Sequence, residues 1–225
     1  MKTFSFVRQS FALLGLAFLA STVNAQFVGV SGSTSAPASV FGGFTMTKFA
    51  DDTRPVFQDV TSVSTPLGGA ISFSTELDHL EIGSGWATWS NHYRGDVYFV
   101  DGGTSVTLTL PDYTSAFYFY AEPNQFFPHT ITASSGGTLL TQHVLGLAGA
   151  EFFGFYATGT ETLSSITISS NDFLGFSIGE FGIALTLPTP AAFVTPVPEP
   201  STYALFGAVA LFGLVAVRRF RRKAS

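Results

Sequence analysis

The sequence contains no cysteine in 225 residues, and only 11% of its residues are charged. Without cysteine the chain can form neither a disulfide nor a thiolate metal site, and it has no cysteine nucleophile. A domain of this length can still bury enough apolar surface to be stable without covalent links. The lack of cysteine therefore does not argue against export.

Basic residues are nearly absent from the middle of the chain. Seven of the ten lie close to the two ends, and only Lys48, Arg54 and Arg94 stand between the terminal apolar runs. All fifteen acidic residues lie in this middle part, which therefore has a formal charge of -12. A surface of that sign attracts cations and repels nucleic acid. The charge distribution disfavours a nucleic-acid partner.

The first 25 residues have the pattern of a secretory signal peptide. Lys2 and Arg8 precede an apolar stretch over residues 11–20, and Val23-Asn24-Ala25 supplies the small residues that signal peptidase requires. The apolar stretch is too short to span a bilayer. We predict cleavage after Ala25.

The last 31 residues change from an extended linker to an apolar helix. Pro196, Pro198 and Pro200 exclude a helix because each ring removes a backbone donor and restrains the preceding residue. Residues 201–217 lack charge, and Ser201 is well placed as the N-cap of a single transmembrane helix. A basic cluster follows and should keep the end in the cytoplasm. It consists of Arg218, Arg219, Arg221, Arg222 and Lys223.

This tail, with Val197-Pro198-Glu199-Pro200-Ser201-Thr202, a helix and a basic end, resembles a PEP-CTERM sorting signal. The resemblance implies recognition of Pro198, Glu199 and Pro200 by an exosortase, a membrane-embedded cysteine protease thought to remove the helix. It also implies an inner-membrane intermediate, held by the C-terminal helix, that later reaches the cell surface, extracellular matrix or biofilm. An ordinary membrane anchor behind a proline-rich linker is the alternative.

The middle of the chain, residues 26–194, reads as short strands separated by turn residues. Residues 105–110 alternate strictly, with Val106, Leu108 and Leu110 on one face and threonines on the other. Regular short strands without intervening helical patterns predict an all-β fold, an antiparallel β-sandwich of jelly-roll type. Further strands are predicted at 70–75, 96–100, 116–121, 130–134, 138–144, 151–157, 163–169 and 173–186.

The second half of this domain also resembles the β-sandwich module of many bacterial surface proteins that carry this tail. The resemblance rests on residues 116–120, 152–156, 166–168 and 176–183, which are mostly apolar and aromatic. It implies a fold and says little about activity.

One pentapeptide, Gly175-Phe176-Ser177-Ile178-Gly179, matches the nucleophile-elbow pattern of serine hydrolases. That motif requires a strand, a sharp turn and then a helix, with a histidine further along the chain. A strand pattern follows Ser177 instead, and no histidine occurs after His143. The sequence therefore disfavours a secreted hydrolase.

Potential metal ligands are concentrated at Asp78, His79, Glu81, His92 and Asp96. On a strand, Asp78 and His79 point to opposite faces, and the four scattered histidines do not have zinc-ligand spacing. The excess of acids favours a structural calcium ion over zinc, with ligands that the sequence does not assign.

Aromatic residues cluster at Trp86, Trp89 and Tyr93, close to glycines and amides. Exposed rings of this kind could stack on sugars, which would make the domain a carbohydrate-binding module for extracellular polysaccharide. With 25 phenylalanines present, packing of both tryptophans in the core is the favoured interpretation.

The interpretation that accounts for most of these features is an exported, non-enzymatic surface or matrix protein with a structural or adhesive role. Signal peptidase and exosortase are its expected processing enzymes. Carbohydrate binding through Trp86 and Trp89 is the alternative, and exposure of those two rings would distinguish the two.

Overall fold

The computed structural model describes residues 26–186, and every regular element in this range is a β-strand. The predicted signal peptide, Pro-Glu-Pro motif, C-terminal helix and basic cluster lie outside the described residues. Within residues 26–186, no helix has the length and apolar character needed to cross a membrane.

Residues 26–186 contain fifteen strands, and all paired neighbours are antiparallel except β6 and β7. The strands are β1 (Gln26–Ser31), β2 (Val40–Phe41), β3 (Phe44–Thr45), β4 (Thr47–Lys48), β5 (Gln58–Ser64), β6 (Ala70–Ile82), β7 (Gly85–Trp86), β8 (Asp96–Asp101), β9 (Ser105–Thr109), β10 (Thr114–Pro123), β11 (Pro128–Ser135), β12 (Thr138–Leu145), β13 (Glu151–Thr158), β14 (Ser165–Ser170) and β15 (Gly175–Leu185).

The last eight strands form two layers of four. One layer has the order β8-β15-β10-β13 and the other β9-β14-β11-β12, so that the chain passes repeatedly from layer to layer. This order gives the all-β, sandwich-like arrangement that the sequence predicts. The strand β1 extends the first layer beside β13.

A single long strand, β6, belongs to both layers. Its residues Ser72 and Phe73 pair with β9 of one layer, and Asp78 to Leu80 pair with β8 of the other. The hydrogen bonds therefore continue from one layer into the next, and thirteen strands form one connected sheet. On the far side, β1 and β12 meet through side chains, where Thr138 Oγ1 donates to the Phe27 carbonyl at 2.9 Å.

Strand β10 is buried on both faces along its whole length. Phe117 and Phe119 point between the layers, where Phe119 stacks on Phe153 with ring centroids 5.4 Å apart. Tyr118 and Tyr120 point outward, into a second apolar cluster. Because strand side chains alternate between faces, burial of every residue requires a cover on the outer face of the first layer.

Two segments supply that cover. The first comprises residues 32–57, in which Phe41, Phe44 and Met46 pack against the second cluster. The other is residues 83–95, which we call the tryptophan loop because it contributes Trp86 and Trp89. The functional candidates of the sequence lie beneath and beside this cover.

Candidate functional site

The outer face of β10 and β15 carries two buried carboxylates. Glu122 ends the aromatic run of β10 and is fully buried, and Glu180 of β15 is 8% exposed. A register shift between Tyr118 and Tyr120 of the β10–β15 ladder accommodates an extra residue, and Glu180 has a positive φ of 52° there. This bulge places the Glu180 side chain on the covered face.

Each carboxylate anchors one tryptophan of the loop. Trp86 Nε1 donates to Glu122 Oε2 at 2.7 Å, and Trp89 Nε1 donates to Glu180 Oε2 at 3.2 Å. Thr88 Oγ1 and the Gly149 backbone N–H also donate to Glu122 Oε1, at 3.2 and 3.0 Å. Asn91 Nδ2 donates to Glu180 Oε2 at 2.9 Å.

Burial is the largest influence on both carboxylates, and it raises the pKa of Glu122 and of Glu180 above the ordinary value of 4.5. The hydrogen bonds that Glu122 accepts from Trp86 and Gly149 oppose this shift because they favour the charged form. Asn91 and Trp89 act in the same way on the pKa of Glu180. Glu122 and Glu180 therefore hold the tryptophan loop in place, although the loss of water around each charged carboxylate is unfavourable.

Beside Glu180 lies a cleft of about 80 Å³, lined by Lys48, Asp51, Tyr93, Asp96 and Tyr98 among others. Its surroundings contain all three basic residues of the described chain, since Arg54 and Arg94 line the adjoining depressions. Within residues 26–186, Arg54 pairs with Asp52, whereas Lys48 and Arg94 form no ion pair. The cleft and these depressions together hold all the cations of residues 26–186.

A hydrogen-bonded network forms the floor beside the cleft. His79 contacts Asp96 Oδ1 through Nε2 at 2.7 Å and the Pro55 carbonyl through Nδ1 at 3.1 Å. The Asp52 backbone N–H donates to Asp96 Oδ2 at 2.6 Å. Tyr98 Oη donates to Asp52 Oδ2 at 3.0 Å. The hydrogen bond from Arg54 lowers the pKa of Asp52 to about 2.

The two tryptophans pack in the interior, which is the interpretation that the sequence favours over sugar stacking. Trp86 and Trp89 are 7% and 6% exposed, and the indole of Trp86 packs against Phe99 with ring centroids 5.3 Å apart. Their rings are covered, because both N–H groups reach inward to buried carboxylates. Tyr93 lines the cleft, and its hydroxyl donates to the Asp96 carbonyl at 3.0 Å. The tryptophans therefore offer no open stacking surface in this structure.

The serine of the elbow-like pentapeptide lies inside β15. Ser177 is fully buried, its hydroxyl has no hydrogen-bond partner, and the chain continues as a strand without a turn into a helix. The structural context that the hydrolase motif requires is missing around Ser177 in the described fold.

Of the potential metal ligands, His79 and Asp96 are hydrogen-bonded to each other. Asp78 points away from His79, towards Asp59, as the alternation of a strand requires. No group of three or more His, Asp or Glu side chains suitable for a metal ion occurs within the described range. Calcium binding stays a prediction from the excess of acids.

Sequence reasoning missed Glu122 and Glu180. The signal that could have found them is an isolated acid within an aromatic strand, as in residues 116–122 and 176–183. A carboxylate in such a setting must find buried donors.

The comparisons with known proteins identify the tail. Residues 196–222 match the PEP-CTERM protein-sorting motif. The motif implies an exported protein that is processed by an exosortase and reaches the cell surface. A search of curated proteins finds no match to the chain.

One solved structure that matches part of this chain contains the CBM22-1 and GH10 modules of the Clostridium thermocellum N-terminal endo-1,4-β-D-xylanase 10B, complexed with xylohexaose. The sequences are 12% identical, and the TM-score is 0.34. The alignment covers 54% of this chain and 27% of that one. A similarity this distant supports no inference about ligand or activity.

Proposed function

We propose that this protein is a non-enzymatic structural or adhesive component of the cell surface or extracellular matrix, released from its membrane-held precursor by exosortase. The observation that carries the proposal is the sorting motif at residues 196–222, which follows a β-sandwich domain. The use of Glu122 and Glu180 as anchors for the tryptophan loop supports a structural role for the polar groups of the outer face.

Intact-mass analysis of the protein recovered from the surface and medium of its native host tests this proposal. We expect a product that starts at Gln26 and ends near Pro198 to Pro200 only when the host has a functional exosortase. A product that retains Arg218 to Lys223 with and without exosortase would instead identify a simple membrane anchor, and would refute release.

Extracellular polysaccharide is a second candidate partner, now through the cleft rather than the tryptophans. The specific observation is that the unpaired Lys48 and Arg94 lie beside Tyr93 and the acids of the cleft. Such mixed polar and aromatic linings are typical of sites that orient small polar ligands. Neutral polysaccharides are the favoured class, because the acids that line the cleft beside Lys48 and Arg94 would repel an acidic one.

Calorimetric titration with polysaccharide from the host's own matrix tests the second candidate. We expect the Lys48→Ala/Arg94→Ala variant to lose binding, whereas Asp112→Ala, which removes an exposed charge elsewhere, should bind like the wild type. Absence of binding by the wild-type protein would end this candidate without affecting the sorting proposal.

A further inference from the structure

Three loops at one end of the sandwich display large apolar side chains to solvent. They connect β10 to β11, β12 to β13, and β14 to β15. Six side chains are between 42% and 69% exposed, and together we call them the apolar loop end. They are Phe126, Phe127, Leu145, Leu147, Phe173 and Leu174.

Hydrogen bonds around one buried carboxylate hold two of these loops together. Asp172 is fully buried, and its Oδ1 accepts from the Leu174 backbone N–H at 2.9 Å and from Gln125 Nε2 at 3.0 Å. Its Oδ2 accepts from the Gln125 backbone N–H at 2.7 Å. The side chains of the apolar loop end are therefore presented by a fixed backbone.

The loop between β12 and β13 packs against the loop between β10 and β11. The Gly146 backbone N–H donates to the Phe127 carbonyl at 3.3 Å, and Pro128 pairs with Leu145 at the start of the β11–β12 ladder. A Cβ atom on Gly146 would lie 1.8 Å from the Gln125 carbonyl oxygen, so the two loops approach as closely as a glycine permits. The three loops form one continuous surface.

The area of this surface lies at the upper end of what monomers expose. Since an aromatic side chain covers roughly 150–250 Å², the six side chains at these exposures present on the order of 600 Å². Patches above a few hundred Å² usually mark interaction sites. Two such surfaces in contact would bury on the order of 1,200 Å², which reaches the range of specific protein interfaces.

The distribution of charge favours a second copy of this chain as the partner of the apolar loop end. The three loops contain no lysine or arginine, and their single acid, Asp172, is buried. An anionic lipid surface would be bound through basic residues, but Lys48, Arg54 and Arg94 surround the cleft instead. Because residues 26–186 contain fourteen acids and three bases, two copies repel each other, and the uncharged loop end is where their approach is least opposed.

Both ends of the described range, Gln26 and Thr186, lie at the opposite end of the sandwich. Gly175 begins β15 at the loop end, and Thr186 follows its last residue at the opposite end. Gln26 pairs with Thr158, the final residue of β13, so it also lies opposite the loop end. At about 3.3 Å per residue, the eleven residues of β15 place roughly 35 Å between the two ends of the sheet.

From these observations we infer that the apolar loop end is a self-association surface, through which two copies of this chain pair end to end. The inference goes beyond the proposed function, because the surface and its partner do not depend on whether the sorting tail is removed. An isologous pair would place Phe173 and Leu147 of each copy within the contact.

Sedimentation velocity of the protein isolated from its host, in whichever processed form it occurs, tests the inference. Wild type should show a concentration-dependent dimer. The Leu147→Ser/Phe173→Ser variant should raise the dimer dissociation constant by about a hundredfold, since apolar anchors at the centre of an interface provide most of its affinity. The matched control is Leu67→Ser/Tyr113→Ser, which removes one leucine and one aromatic ring that are 42% and 45% exposed elsewhere.

Circular dichroism melts should show that all three chains are folded, because every substituted side chain is solvent-exposed. If the isolated protein retains its C-terminal tail, association through the tail would be equal in the wild type and in both double variants. A wild type that stays monomeric at about 100 µM, or a dimer weakened equally by both variants, would overturn the inference. So would a monomeric wild type that floats with zwitterionic lipid vesicles and loses this binding in Leu147→Ser/Phe173→Ser, which would assign the surface to lipid.

Discussion

At the scale of single residues, the buried carboxylate of Glu122 is the most informative feature. It accepts hydrogen bonds from an indole, a hydroxyl and a backbone N–H, so its removal leaves several buried donors without an acceptor. Unsatisfied buried donors cost roughly 1–3 kcal/mol each. The carboxylate therefore stabilises the cover of the sheet even though its own burial is unfavourable.

We predict that Glu122→Ala lowers the free energy of unfolding by about 2–4 kcal/mol, measured by chemical denaturation. Glu122→Gln should lose less, because the amide oxygen still accepts from Trp86 while the amide NH2 faces other donors. The exposed Glu161→Ala is the control and should stay within about 0.5 kcal/mol of wild type. Equal stability of Glu122→Ala and wild type would contradict the anchoring role.

The sequence shows that the tryptophan loop is aromatic, but it does not show that its indoles contact Glu122 and Glu180. Trp86 and Glu122 are separated by 36 positions, and Trp89 and Glu180 by 91. The abundance of phenylalanine favours a buried role for the two tryptophans, but composition does not show which side chains they contact. Only the tertiary position of β10 and β15 decides those contacts.

At the scale of elements, the tryptophan loop is fixed to the sheet by two hydrogen bonds, one to Glu122 and one to Glu180. Its tip contains two consecutive non-glycine residues with positive φ, Asn91 at 48° and His92 at 63°. Such conformations are costly and persist when the surrounding contacts hold them. The contacts from Trp89 and Asn91 to Glu180 provide that support.

We predict that Trp89→Phe accelerates amide hydrogen exchange within residues 83–95, because the ring is kept while the bond to Glu180 is lost. Exchange in β10 and β15 should remain slow, since these strands lie at the centre of the sheet. The strand amides provide the internal control in the same experiment. Equal acceleration in loop and strands would indicate general destabilisation rather than release of the tryptophan loop.

The strands from β8 onward follow closely from the sequence. The predicted strand at 138–144 is observed as Thr138–Leu145, and that at 151–157 as Glu151–Thr158. The strand predicted at 70–75 continues to Ile82, because its alternation changes where β6 passes from one layer to the other. The alternation of apolar and polar residues along one strand does not show that β6 changes its neighbour from β9 to β8. It also does not show that residues 32–57 pack over the outer face of the first layer.

At the scale of the whole molecule, buried acids make stability depend on pH. Burial raises the pKa of Glu122, Glu151 and Glu180 above 4.5 in the folded state. The folded protein therefore binds these protons more tightly than the unfolded chain. Their contribution to stability is fully present below about pH 4.5 and is lost as the pH rises through the folded-state values.

Asp52 acts in the opposite direction. Its pKa is lowered from 3.8 to about 2, so its contribution is present above pH 3.8 and is lost as the pH falls towards 2. We predict that the thermal unfolding midpoint rises from pH 2 to about pH 4 and declines again above about pH 4.5. Glu180→Gln should flatten the declining limb, and Asp52→Asn the rising limb. A midpoint that increases steadily up to pH 7 would contradict this prediction.

The continuity of β6 through both layers determines how the domain unfolds. A sandwich of two separate sheets could lose one sheet while the other persists. Here the strand that pairs with β8 is the same strand that pairs with β9, so loss of either layer removes hydrogen-bonded neighbours from the other. The two layers are thereby coupled into one cooperative unit, and residues 26–186 should unfold in a single transition without a half-sandwich intermediate.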